Sequence, residues 1–454
     1  MISALVKERS ETPIKLIIVS QLSYKKWLSK QDKQILQFLK NINFQAVPGA
    51  FAIIPGPNGK IERVIFGVPE EIKLWDWASL PSKLPFGLYK LSNITKPLDL
   101  HNAALAWALE TYSFEKYKSS KKLRPKLVKP TGFELIHATS IYLVRDLINS
   151  PSNDMGPSQL AAAARKMCKD IGATCRVIVG KSLLKEKYPS IFAVGRSHHR
   201  APRLIDIRWG NKTSPKVTIV GKGVCFDTGG LNLKSTANMA LMKKDMGGAA
   251  HALGLARMLI LSKVNVRLRV LIPAVENSVS SESMRPGDVI KTRKGLTVEI
   301  DNTDAEGRVI LADALTEASR EDPNIIIDFA TLTGAARVAL GTELPALFCN
   351  DDNLAETIIS AGDRVFDPVW RLPLWQDYKS QIRGKIADLT NAPSNPLGGS
   401  ITAALFLEEF IKPKISWAHF DLMAWNLFSK PGRPRGGEAM GMRAVFEAIS
   451  KKFK

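Results

Sequence analysis

Between residues 204 and 329, short apolar, β-branched runs alternate with stretches whose apolar residues recur at helical spacing. The runs at 204–208, 217–220, 266–272, 296–300 and 324–329 suit strands, and 246–261 and 308–319 suit helices. Strands joined through helices predict a mostly parallel, doubly wound α/β sheet flanked by helices, since parallel neighbours need a crossover and the crossover helices cover the faces. Such a sheet binds ligands just outside the carboxyl ends of its strands. A late strand at 417–421 and a closing helix at 441–451 extend the pattern, and helices at 133–148 and 157–172 precede it. Pro157 sits in the first turn of the latter, where its missing N–H costs nothing.

The chain's unusual charges fall at predicted strand ends. Residues 301–308, DNTDAEGR, join the strand at 296–300 to the helix that follows. Asp304 and Glu306 stand one residue apart, with Gly307 to turn the backbone and Arg308 to open the helix. Two carboxylates held close call for something positive between them, and a divalent cation takes carboxylate oxygen readily. An acidic helix cap is the alternative, with either carboxylate bonding free N–H groups. A second stretch follows the strand at 217–220 and places Lys222, Asp227, Lys234 and Asp245 along a Gly-rich loop that runs into a helix. Four acids and two lysines past strand ends could hold two divalent ions. For Lys222 the residues alone favour an ion pair with Asp227. Lys234 also fits a solvated loop lysine, and Arg308 an ion pair with Glu306.

The motifs themselves are specific. NTDAEGR at 302–308, GKGVCFDTGG at 221–230, Lys234 and KKDMGGAA at 243–250 together resemble the leucine aminopeptidase (cytosol aminopeptidase) family of dinuclear metallo-exopeptidases. The spacing agrees too: five residues from Lys222 to Asp227, seven more to Lys234 and eleven more to Asp245. RDLINSPSN at 145–153, ENSVSSESMRPGDV at 276–289, DFATLTGAA at 328–336 and GGSITAALFLEEF at 398–410 also resemble that family. The resemblance covers roughly 133–454 well and the first 130 residues weakly. Lys243 and Lys244 depart from it, because fewer charges are expected just before the aspartate at 245.

The resemblance implies an aminopeptidase that removes Leu- or Met-like N-terminal residues from peptides, using two divalent metal ions (Mn2+ or Zn2+) and a bicarbonate. It implies that Asp227 and Glu306 touch both ions, that Asp304 completes one site with its own backbone carbonyl, and that Lys222, as a neutral amine, and Asp245 complete the other. Lys234 is then the electrophile for the scissile carbonyl. Arg308 holds the bicarbonate that acts as general base, with backbone at Gly307 and Leu332. Met242, Thr331 and Gly334 match positions lining the pocket for the first side chain, and a homohexamer is implied as the assembly. Another dinuclear metallohydrolase of phosphatase type, or a basic DNA-binding or scaffold protein on the same fold, are the competing readings.

Composition bounds the rest. With 454 residues, 45% hydrophobic and 24% charged, the chain can bury a large core. The formal charge of +21 leaves nucleic acid possible but not indicated, since no nucleic-acid motif accompanies it. Cys168, Cys175, Cys225 and Cys349 form no CxxC pair and read as reduced, mostly buried thiols. No run of eighteen apolar residues and no secretory leader is present, so a cytoplasmic protein with no membrane partner is expected. The histidines offer no rival metal site. His198 and His199 are adjacent, His251 and His419 stand alone, and there is no HExxH or phosphate-loop motif.

Residues 1–114 read as a small N-terminal α/β domain, with strands at 14–20 and 63–68 and helices at 31–42 and 101–112. The helix at 31–42 presents Ile35, Phe38, Leu39 and Ile42 inward, and Trp75 and Trp77 read as aromatic core rather than a ligand platform. Residues 115–132 read as a basic linker, and 133–454 as the larger catalytic metallopeptidase domain.

Overall fold

The structure is a computed structural model and describes all residues except 1–3, 8–11, 57, 95, 120–122, 129–131 and 454. Part of the basic stretch at 115–132 therefore lies outside the described residues. The chain contacts divide into one unit of residues 1–139 with 428–435, and another of 140–427 with 436–454.

The first unit is built on a six-stranded sheet, ordered Leu5–Val6, Lys126–Val128, Leu88–Leu91, Ile14–Val19, Ile61–Gly67, Phe51–Pro55. All neighbours run parallel except the last pair. Helix Lys33–Asn41 starts where the Asp32 side chain accepts from the Ile35 N–H at 2.8 Å, and it buries Ile35 and Leu39. Ile42, expected inward, caps the end of this helix and is 47% exposed, because the helical spacing stops before it. Trp77 is buried, and Trp75 carries the Arg433 guanidinium 4.7 Å above its ring.

The second unit holds a nine-stranded mixed sheet. At its centre Arg267–Asn277, Lys216–Gly221, Ile325–Ala330 and Ser416–Asp421 lie parallel in that order. Antiparallel strands Arg203–Trp209 and Ala346–Cys349 flank them. The central residues are mostly apolar on both faces, as expected of strands covered by helices on each side. Gly223–Asp227 pairs parallel with the far end of Arg267–Asn277, so part of the predicted Gly-rich loop is strand. The strand expected at 296–300 is Thr297–Glu299 and belongs to a separate three-stranded sheet with Val289–Lys291 and Leu389–Thr390. Its polar flanks suit a small accessory sheet better than a doubly covered central position.

Helix Gly247–Leu261 is buried nearly all round and lies directly on the sheet. A Cβ on Gly248 would stand 2.0 Å from the Phe329 carbonyl oxygen and 2.8 Å from the Lys222 nitrogen. Only glycine permits that approach, and the approach brings the start of this helix against two strand ends. Beneath the same strands Asp328 is satisfied by Trp417 Nε1 at 2.7 Å and His419 Nδ1 at 2.6 Å. All four cysteines are free thiols, with Cys175 partly exposed and the others buried. Among the described residues no helix is long and apolar enough to cross a membrane.

Candidate metal centre

The parallel strands end side by side, and their carboxyl edge carries the charges. Lys222 directly follows Lys216–Gly221, Thr331 follows Ile325–Ala330, and Asp227 and Asp421 end their own strands. Asp245 comes from the 3-10 turn Met242–Met246, and Glu306 opens helix Glu306–Arg320. Glycine allows these groups to meet: a Cβ on Gly307 would stand 2.6 Å from Lys222 Cε and 2.7 Å from its Nζ.

Lys222, Asp227, Asp245 and Glu306 are between 1% and 3% exposed. Carboxylate oxygens of Asp227, Asp245 and Glu306 all lie within 4.8 Å of one another. The Lys222 ammonium donates to Asp245 Oδ1 at 3.0 Å and to the Thr331 carbonyl at 3.2 Å, and lies 2.9 Å from Glu306 Oε1. Its closest acids are thus Asp245 and Glu306, not the Asp227 that its sequence position suggests. Lys234 sits 3.0 Å from Asp227 Oδ2 and also close against Asp304 Oδ1. Asp304 is half-buried at the rim.

Charge is expensive here. Burial, and then the neighbouring Asp245 carboxylate, push Asp227 up to about 6. Burial and Asp227 push Glu306 well above the usual carboxylate range. Asp245 is held below its ordinary range although burial opposes this, because Lys222 and Lys244 stand beside it. Burial also works against the Lys222 and Lys234 ammonium groups, yet the surrounding carboxylates hold both above the ordinary lysine range.

The donor set fits divalent cations. Both Glu306 oxygens and Asp245 Oδ2 are buried and accept no aligned hydrogen bond, even where Lys222 is near. Buried carboxylate oxygens without donors, three of them from two elements, are what hard cations coordinate. Neighbouring groups fix the orientation. Asp227 Oδ1 accepts from Asn277 Nδ2 at 2.8 Å and from the Gly229 N–H at 2.8 Å. Thr331 Oγ1 donates to Asp245 Oδ1 at 2.7 Å. Asn277 carried no sequence signal of its own, and Thr331, expected as a pocket residue, also orients a carboxylate.

Arg308 follows Glu306 into the helix and is 7% exposed, with Nε and Nη1 unpartnered among the described residues. Burial pushes it down to about 10, opposed by Asp421 and Glu306, so it stays charged at neutral pH. A buried fork of free N–H donors is a site for a small planar anion. The Leu332 N–H donates to Asp421 Oδ1 at 2.9 Å. Gly307 lies buried beside it.

A cavity of ≈ 190 Å³ opens onto these groups. Lys222, Asp227, Lys234, Asp245 and Asp304 line it together with Met242, Thr331, Leu332 and Gly334. Lys243 is turned away, donating to the Asn149 carbonyl at 2.7 Å and lying over the Trp425 ring. Lys244 also lines the cavity and is 5% exposed. The cavity can therefore hold a small organic group beside Asp227, Asp245 and Lys234.

Known proteins share this construction. Residues 142–446 match the cytosol aminopeptidase family catalytic domain, and residues 12–130 match the M17 aminopeptidase N-terminal domain. A probable cytosol aminopeptidase of Syntrophotalea carbinolica is 42% identical over 69% of this chain, a stretch that spans only 63% of that protein's length. One of Prochlorococcus marinus is 34% identical over 91% of both chains. The crystal structure of a cytosol aminopeptidase from Coxiella burnetii superposes with a TM-score of 0.95 at 48% identity, covering 99% of this chain and 100% of that one. The bottromycin maturation enzyme BotP in complex with Mn superposes at 0.87 with 29% identity, over 97% and 99%. With the sheet, the strand-end carboxylates and both matched segments in agreement, the chain belongs to the cytosol aminopeptidase family.

Proposed function

We propose that this chain is a metal-dependent aminopeptidase that removes N-terminal residues, with a leucyl- or methionyl-like preference, from peptides. The observation that carries this reading is the trio Asp227, Asp245 and Glu306, buried and convergent within 4.8 Å, with Asp227 and Asp245 lining a cavity beside Lys234. Asp227 and Glu306 are assigned to both of two divalent cations, Asp304 to one, and Lys222 with Asp245 to the other. When bound, the cations supply positive charge that acidifies a water molecule and draws charge from the scissile carbonyl. Mn2+ or Zn2+ suits the oxygen-rich set, and the relative BotP is described in complex with Mn.

The chain's own residues do the rest. Asn277 and the Gly229 N–H keep Asp227 in one rotamer, and Thr331 keeps Asp245 in another. Lys234 reaches into the cavity from the loop after Asp227 and is assigned to the carbonyl oxygen, where its charge favours the oxyanion of the transition state. Arg308 is assigned to a bicarbonate, with backbone at Gly307 and at Leu332, whose N–H would be shared with Asp421. A bicarbonate held there supplies a general base near neutral pH. Met242, Thr331 and Gly334 line the place for the first side chain. Residues 133–454 are taken as the catalytic domain, with a cytoplasmic location and a homohexameric assembly. The test is hydrolysis of leucine-anilide by metal-loaded protein, with N-acetyl-leucine-anilide as control. Turnover of the free amine alone is expected, and equal turnover of both substrates would overturn the assignment.

A further inference from the structure

The substrate cavity contains a cation that none of these roles uses. Lys244 is 5% exposed and lines the cavity, yet its ammonium has no hydrogen bond or ion pair with any described residue. The nearby acids already meet other donors, and Asp245 Oδ2, which accepts none, is assigned to a cation. Asp245 takes Lys222 and Thr331, while Asp421 takes the Leu332 and Thr333 N–H groups and the Thr333 hydroxyl, the last at 2.6 Å. A second cation faces the same space from helix Gly334–Leu340. Arg337 lines the cavity, is exposed, and has no side-chain partner among the described residues. Its Nη2 lies 3.8 Å from where a Cβ on Gly334 would sit, at one of the pocket positions assigned to the first side chain.

Lys244 and Arg337 line the same cavity as Asp421, whose oxygens already accept three donors, and the two cations repel each other until a further anion arrives. Burying an ammonium is costly unless a partner meets it. Met242 and Met423 supply apolar surface to the same lining. We infer that the pocket accepts N-terminal glutamate or aspartate, with the side-chain carboxylate between Lys244 and Arg337 and its methylenes against Met242 and Met423. The inference rests on the aminopeptidase reading and names a substrate class for it. A carboxylate could also come from the C-terminus of a very short peptide, and the two sources are separable.

The experiment compares kcat/KM for Glu-, Gln- and Leu-anilides, and for Leu-Gly against Leu-Gly-amide, in the metal-loaded wild type, Lys244→Met, Lys244→Arg and Arg337→Gln. Alongside, calorimetry measures binding of glutamate and glutamine to the same metal-loaded proteins. The Glu/Gln ratio is expected to fall by about tenfold or more in Lys244→Met, as loss of one desolvated charge pair implies. It is expected to recover in Lys244→Arg and to fall less in the exposed Arg337→Gln. Glutamate binding should weaken in parallel. An unchanged Glu/Gln ratio in Lys244→Met overturns the inference. So does a penalty confined to Leu-Gly relative to its amide, which would place the carboxylate at the peptide's end. If no anilide is cleaved, the aminopeptidase reading fails by itself, and glutamate binding indifferent to Lys244→Met then also overturns this pocket assignment.

Discussion

At the residue scale, the centre combines groups that are unfavourable apart and compatible together. Glu306 illustrates this: both oxygens are buried without a donor, and burial opposes its charge. Its assigned partners are cations, so Glu306→Ala should lose most bound metal and nearly all turnover. Metal analysis finding two full equivalents in an active Glu306→Ala protein would remove Glu306 from the ligand set. Lys234 separates catalysis from metal binding. It sits across from Asp227 and Asp304 but is assigned to neither cation. Loss of one oxyanion donor costs about 10²–10³ in turnover. Lys234→Ala should therefore retain both metals and a peptide-like inhibitor while turning over that much more slowly, and near-normal turnover would refute the role. The resemblance of the segment from Lys222 through Asp245 and of NTDAEGR to the family's motifs brought these residues forward in sequence, whereas the residues alone left a helix cap and simple ion pairs open. Asn277, Thr303 and Asp421 were not legible as supports. Each is an ordinary polar residue, and only the approach of segments distant in sequence brings it beside Asp227, Gly229 or Leu332.

At the element scale, the alternating apolar runs exposed the parallel core, because strands covered on both faces read as continuous hydrophobic stretches. Gly223–Asp227 escaped notice because its glycine and the Gly-rich continuation suppress strand propensity, while pairing with Arg267–Asn277 decides the outcome. Helix Gly247–Leu261 shows a further dependence on context. His251 Nδ1 meets the Gly247 carbonyl at 2.6 Å, and its Nε2 accepts from the Met440 N–H at 2.9 Å, tying this helix to the approach of helix Met442–Lys452. The ring must be neutral at Nε2 to accept. Burial pushes His251 down to about 4, against the milder opposing pulls of the Gly247 carbonyl and Asp367. A histidine neutral in the fold and at about 6.5 when unfolded contributes fully above that value. Its contribution falls as pH drops toward the folded pKa, by about 1.4 kcal/mol per pH unit. The stability advantage of wild type over His251→Gln, measured by thermal unfolding, should therefore shrink from pH 7 to pH 5. An advantage that stays constant across that range would mean the ring does not titrate as described.

At the scale of the whole molecule, charge and surface set the remaining expectations. A formal charge of +21 means that self-association must overcome repulsion, through apolar contact and local pairing rather than net attraction. The larger unit exposes several large apolar side chains: Val338 is 84% exposed, Ile386 74%, Leu397 73% and Trp370 59%. Single exposed apolar groups are ordinary, but several on one unit suit surfaces that become covered on assembly. The homohexamer proposed for this chain supplies such covering. Sedimentation at micromolar concentration should then give about six times the 50.0 kDa chain mass. Because charge repulsion between like subunits is screened by salt over roughly 10 Å at 0.1 M, the assembly should persist or tighten as salt rises. An assembly held instead by opposite-charge contacts would loosen over the same salt series. A monomer that persists across the series while cleaving leucine-anilide would show that the site is complete within one chain and that the exposed apolar groups serve another purpose.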